Sequence, residues 1–274
     1  MFLIIASLII CAFVCAKLLK TSNVFKYYFK YTVYCILSTI CAILSLPVLL
    51  ARPRNVKNLI TASHIFRPIS PVLGLKYEFR GMENLKKDYT CVITANHQSS
   101  IDILCMYELW RFMGKTTVIA RMLLLFAGPF GPCSWLSGLV FINKGSPDKG
   151  IKKMNDAMEE LKRKNIKLWM YPEGYRNHSG KIDEFKKGAF RMAQQSQVPI
   201  IPVVISSYNY FLSPKDKVFN SGKIIIEALP EIPTKGLKPT DVDALIHKTR
   251  NIMIEKFDKL NYELKNEQHR RKIN

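Results

Sequence analysis

The chain has 274 residues, 48% of them hydrophobic, which suffices for one sizeable domain plus an appendage. Lys and Arg number 41 against 21 Asp and Glu, a formal charge of +20 that implies a nucleic acid, an anionic membrane face or an acidic substrate as partner. Seven cysteines occur without one CxxC pair, which speaks against a structural zinc site or a disulfide framework.

Residues 2–16, FLIIASLIICAFVCA, are continuously apolar. As a helix they span roughly 22 Å, short of a ~30 Å hydrocarbon core. A cleaved signal peptide is the alternative, with Val14 and Ala16 before the cut, but no positive segment precedes the run. Residues 31–51, YTVYCILSTICAILSLPVLLA, are long enough to cross, with Pro47 as a kink near the far end. Lys17, Lys20, Lys26 and Lys30 precede this second segment, and Arg52, Arg54 and Lys57 follow it. Basic residues on both sides give no orientation, so a hairpin embedded in one leaflet fits as well as a span. The chain therefore divides into an N-terminal hydrophobic membrane hairpin, residues 1–57, and a body, residues 58–274.

In the body, strand-like and helix-like patterns alternate. LKYEFRG (75–81) alternates apolar and polar. Residues 90–95, 116–120, 138–142, 166–171, 200–206 and 223–229 are short β-branched runs bounded by Gly, Pro or polar residues. Helical patterns cover 100–113, 149–164 and 186–197, and a last helix opens near Thr240-Asp241 and runs to about 265. The expected class is α/β, a largely parallel or mixed sheet flanked by helices.

One stretch carries chemistry. NHQSSID (96–102) follows the buried run TCVITA, and ligands bind at the carboxyl ends of strands in open α/β sheets. Ser99 and Ser100 are N-cap candidates for the next helix, which puts Asp102 in its first turn. As isolated residues, Asp102 reads as a helix-end charge and His97 as a turn residue. Jointly they can form the His–Asp half of a triad, the acid orienting the ring and stabilising the imidazolium. The chain has no Gly-x-Ser-x-Gly elbow, so the hydroxyl so activated belongs to the substrate.

YPEGYR (171–176) ends another strand run. It reads as a Pro-Gly turn, or as an arginine held to grip phosphate or carboxylate bidentately. FKKGAF (185–190) adds Lys186 and Lys187, and GLVFINK (138–144) ends in Lys144. The prolines of VPIIPVV (198–204) require bulges or an edge position.

In this order the four blocks NHQSSID, GLVFINK, YPEGYR and VPIIPVV resemble those of the glycerolipid acyltransferases, specifically the 1-acylglycerol-3-phosphate (lysophosphatidate) acyltransferases of animal type. RGMENL (80–85), AGPFGPCSWLSG (127–138) and FKKGAF are similar too, so the resemblance covers roughly residues 60–260. It implies His97 as general base and Asp102 as its partner, with Glu173, Gly174, Arg176 and Lys144 binding the acceptor phosphate. It further implies acylation of the sn-2 hydroxyl of lysophosphatidate, with acyl-CoA as co-substrate and neither cofactor nor metal. The implied setting is a phospholipid membrane, the endoplasmic reticulum, with the catalytic domain facing the cytosol. Backbone N–H groups near the helix start are the expected stabilisers of the tetrahedral intermediate. Tyr175 stands where the family has threonine, and Lys144 where it has arginine. Both departures bear on the acceptor, so another lysophospholipid or glycerol-3-phosphate is the nearest alternative. A membrane-anchored nucleic-acid binder is the alternative that charge alone supports.

Overall fold

The computed structural model describes residues 2–142 and 156–273. Two helices open it, α1 (Phe2–Thr21) and α2 (Asn23–Leu50), with Ser22 between them accepting the Phe25 N–H as the cap of α2. The basic stretch between the apolar runs is thus the end of α1 and the start of α2. Only α2 is long and apolar enough among the described residues to cross a membrane, so the N-terminus holds one long apolar helix and not a clear hairpin. Pro47 lies within α2, in its last turn.

The body follows as α3 (Lys57–Phe66), α4 (Ile69–Val72), β1 (Leu75–Arg80), α5 (Glu83–Lys86), β2 (Val92–Ala95), α6 (Asp102–Met113) and β3 (Thr116–Arg121). After a 3-10 turn, Met122–Phe126, come α7 (Phe130–Leu136) and β4 (Val140–Ile142). A helix over 156–163, here α8, precedes β5 (Lys167–Met170), α9 (Lys187–Ser196) and β6 (Ile200–Ile205). The short hairpin β7 (Leu212–Ser213) and β8 (Val218–Phe219), β9 (Gly222–Ala228) and α10 (Val242–Ile273) complete the chain.

Seven strands form one mixed sheet in the order β1-β9-β6-β2-β5-β3-β4. All neighbours are parallel except β6 and β9. Burial on both faces explains the short apolar runs of the sequence. Along β2, β5, β6 and β9 alternate residues enter two different cores. Ile93, Trp169, Ile201, Val203 and Ile226 pack with α2, α3, α6 and α7. Val92, Leu168, Ile200, Val204 and Ile225 pack with α8, α9 and α10.

Two expectations are corrected. β6 is an interior strand although it contains Pro202. The Pro202 carbonyl accepts from Leu229, so its missing N–H faces β9 one residue before that ladder starts at Val203, where no donor is needed. Helix α10 runs on to Ile273, beyond the expected stop near 265.

Helix α2 is strapped to the body along its length. Tyr27, Ala42, Ser45 and Leu49 make a buried seam at helical spacing. Lys26 donates to Asn220 Oδ1, Lys30 to the Leu73 carbonyl, Tyr34 to the Ser100 carbonyl and Cys41 to the Ile65 carbonyl. The opposite face leaves Ile36, Ile40, Ile43, Leu44, Val48 and Leu50 exposed.

Candidate active site

His97 stands just past the carboxyl end of β2, a central strand, and Asp102 is the first residue of α6. Five residues of tight loop fold back so that His97 Nδ1 lies 2.7 Å from Asp102 Oδ2. The same oxygen accepts the backbone N–H of Gln98 at 2.7 Å and of Ser99 at 3.1 Å. The expected serine caps are absent: α6 starts from Ile101 with no side-chain cap, and the carboxylate of Asp102 collects the loop's donors instead.

That pattern assigns the protons. Asp102 is 1% exposed and its Oδ2 accepts from two amides, so that oxygen faces the ring as an acceptor. Nδ1 of His97 must then be the protonated nitrogen, leaving the lone pair on Nε2. Nε2 has no partner among the described residues, and the side chain is 18% exposed, so the basic nitrogen faces outward. The ring stacks on Tyr171 with centroids 4.0 Å apart and an interplanar angle of 16°. One face and one edge of the imidazole are therefore constrained.

The loop itself is pinned by side chains. Asn96 exchanges two hydrogen bonds with the backbone of Ile205, and Gln98 donates to the carbonyls of Ile205 and Ser206. Glu173 closes the other flank. One of its oxygens accepts the His97 N–H at 2.8 Å, and the other accepts from Asp183 N–H and the Asn177 amide. Burial pushes the Glu173 carboxyl above its ordinary range, and the His97 and Asp183 amides oppose that rise. At 1% exposure, with both oxygens engaged, Glu173 braces the histidine loop.

Gly174 occupies φ +75°, a conformation side chains rarely adopt. A Cβ there would fall 2.8 Å from Lys186 Nζ, so the missing side chain lets that amine close over the turn. Arg121, at the end of β3, donates to the Gly174 carbonyl at 3.4 Å. Arg176, two residues on, is exposed and makes no hydrogen bond or ion pair among the described residues. Three cations thus gather at the turn beside His97. Tyr175 turns its hydroxyl onto Asp183, and Lys186 lies 6.0 Å over its ring.

The structure brings His97, Asp102, Glu173, Gly174 and Arg176 into one neighbourhood, whereas Lys144 lies outside the described residues. Sequence reading missed Arg121, a bare strand-end cation, and treated Lys186 as an open choice between site and solvated helix face. The signal for Arg121 is only its place at the carboxyl end of a strand two places from β2. Of the N–H groups near the helix start, those of Gln98 and Ser99 already serve Asp102.

The acyltransferase family model matches residues 76–206. The chain is 38% identical over 232 residues to 1-acyl-sn-glycerol-3-phosphate acyltransferase alpha of Bos taurus, covering 85% of this chain and 80% of that one. It is 38% identical over 242 residues to the beta protein of Homo sapiens, covering 88% and 86%. The crystal structure of the 1-acyl-sn-glycerophosphate (LPA) acyltransferase PlsC of Thermotoga maritima shares the fold, with a TM-score of 0.64 at 22% identity over 89% of this chain and 97% of that one. By the extent and identity of these matches, the chain belongs to the 1-acyl-sn-glycerol-3-phosphate acyltransferase family.

Proposed function

We propose that the protein transfers an acyl group from acyl-CoA to the sn-2 hydroxyl of lysophosphatidate, giving phosphatidate and free CoA. The observation that carries this is the His97–Asp102 pair at 2.7 Å, with Nε2 open beside a cationic turn. Nε2 takes the proton of the lipid hydroxyl as its oxygen attacks the thioester carbonyl. The tetrahedral intermediate collapses with cleavage of the C–S bond, and the imidazolium returns the proton to the departing sulfur. Asp102 holds the ring and stabilises its transient charge. The acceptor phosphate sits against Arg176, Arg121 and Lys186, where guanidinium groups can bind two oxygens at once. Glu173 and Gly174 shape that turn without touching phosphate.

Residues 1–57 serve as the membrane segment and 58–274 as the catalytic domain. The exposed apolar face of α2, together with Leu123 and Phe126 of the neighbouring turn, suits insertion into one leaflet, since α2 is tied to the body from Lys26 to Cys41. Each buried CH₂ of a lipid chain is worth ~0.8 kcal/mol, so an enzyme of two long-chain substrates works best where those chains already lie. A cytosol-facing domain at the endoplasmic reticulum fits the Asn177-His178-Ser179 sequon, because Asn177 Nδ2 is engaged by Glu173 and the Lys181 carbonyl and has no room for a glycan.

The test supplies oleoyl-CoA and 1-acylglycerol-3-phosphate to purified protein in mixed micelles and measures phosphatidate. His97→Ala should lose about 10²–10⁴-fold in kcat. Arg176→Ala should act mainly on the KM of the acceptor. Equal turnover by wild type and His97→Ala would end the proposal. Glycerol-3-phosphate and other lysophospholipids, offered in competition, should be poorer acceptors.

A further inference from the structure

At the opposite end of the sheet from His97, where β3 and β5 begin, an open groove of about 590 Å³ is lined by Arg52, Lys57, Lys86, Arg111, Lys115 and Lys167. These cations come from six elements or their flanks: the end of α2, the start of α3, the ends of α5 and α6, and the starts of β3 and β5. The lining offers one carboxylate against them, Asp88. Lys57 and Lys115 make no side-chain hydrogen bond or ion pair among the described residues. Lys167 is buried and donates to the Met113 carbonyl at 2.7 Å. Burial and the charge of Lys115 push its amine below the ordinary lysine range, Asp88 opposing. Lys86 and Arg111 stand over the Phe112 ring, at 5.9 and 4.7 Å. Arg111 lies 3.9 Å from Glu108 and Arg52 donates to Thr61. That leaves Lys57, Lys86 and Lys115 without an acidic partner among the described residues, an excess of like charge around one concavity that suits a bound anion.

The position says which anion. Arg52 follows two residues after Leu50, the exposed end of the apolar face of α2. Cations at the rim of a lipid-seated face meet the headgroup phosphates. We propose that this groove binds the headgroup phosphate of an acidic membrane phospholipid, at a site separate from the His97 centre. The inference rests on the reading of the outer face of α2 as the membrane face.

The experiment uses purified full-length protein floated with vesicles of phosphatidylcholine alone or mixed with phosphatidylserine. The variant is Lys57→Glu with Lys115→Glu, two side chains with no partner to lose. Binding to neutral vesicles and turnover in neutral micelles should match wild type, which also shows that the variant is folded. The preference for serine-lipid vesicles should fall about tenfold or more, at the usual contribution of a basic residue near an anionic surface. Inorganic phosphate at matched ionic strength should leave the wild-type preference intact. Three outcomes overturn the inference: an unchanged serine-lipid preference in the variant, abolition of the wild-type preference by inorganic phosphate, or a raised KM for acyl-CoA with lipid preference intact. Failure of wild type and variant alike to bind neutral vesicles would instead bring down the membrane reading of α2, and this inference with it.

Discussion

The two ends of the sheet handle charge in opposite ways. At the carboxyl end, the polar groups around His97 are assigned partners: Asp102 Oδ2 serves a ring nitrogen and two amides, and Glu173 serves two amides and Asn177. At the amino end, Lys57 and Lys115 line an open groove with no side-chain partner among the described residues. The first arrangement is what a proton transfer needs, since reacting atoms must be held to within a fraction of an ångström. The second suits a contact that tolerates many geometries, where net charge matters more than direction.

Asp102→Asn should break the catalytic end most sharply. The amide can turn its oxygen toward His97, Gln98 and Ser99 and place its nitrogen where Oδ1 has no partner, so geometry survives while the charge is lost. Steady-state kinetics should show kcat down on the order of 10²-fold or more, with the acceptor KM little changed.

Glu173→Gln comes next. An NH₂ group would face either the His97 amide or that of Asp183, and one buried donor loses its acceptor at a cost of about 1–3 kcal/mol. Thermal unfolding should shift down, and kcat should fall with it as the histidine loop loosens. An effect on acceptor KM alone would mean that Glu173 touches substrate.

The smallest effect is expected at the edge of the sheet, at Arg80, which bridges Glu78 and Glu263 beside β1. Lys223 first and then Arg80 hold the Glu78 carboxyl below its ordinary range, and Arg80 does the same for Glu263. Their stabilisation is present above the ordinary carboxylate pKa and is lost as pH falls through the lowered values. Arg80→Met should therefore lower the melting temperature slightly at neutral pH, and the two proteins should converge in acid, as melting curves across pH would show.

Much of the fold is legible along the chain because the sheet is buried on both faces, so strands such as VITA and IIPVVI appear as unbroken apolar runs. His97 and Asp102 are legible because five residues of loop suffice to join them. Glu173 is not, since an acid in a Pro-Gly turn looks like a surface charge until the His97 amide is seen against it. Arg121 reaches Gly174 only through the order of strands, which no local pattern records, and Lys186 reaches it through the loop that brings its backbone back to the Pro172 carbonyl. The basic groove draws on six separate elements, and the sequence shows it only as an excess of charge.

The hydroxyl of Tyr34 reaches from the long apolar helix α2 to the Ser100 carbonyl, inside the loop that carries His97 and Asp102. The apolar helix and the His97 loop therefore share one mechanical part. A version of the chain begun at residue 58 would carry the His97 loop without one of its struts, and the seams left by Ala42 and Leu49 would stand open. Turnover should accordingly respond to how α2 is seated, which makes the choice of bilayer or micelle a variable of catalysis and not a matter of handling.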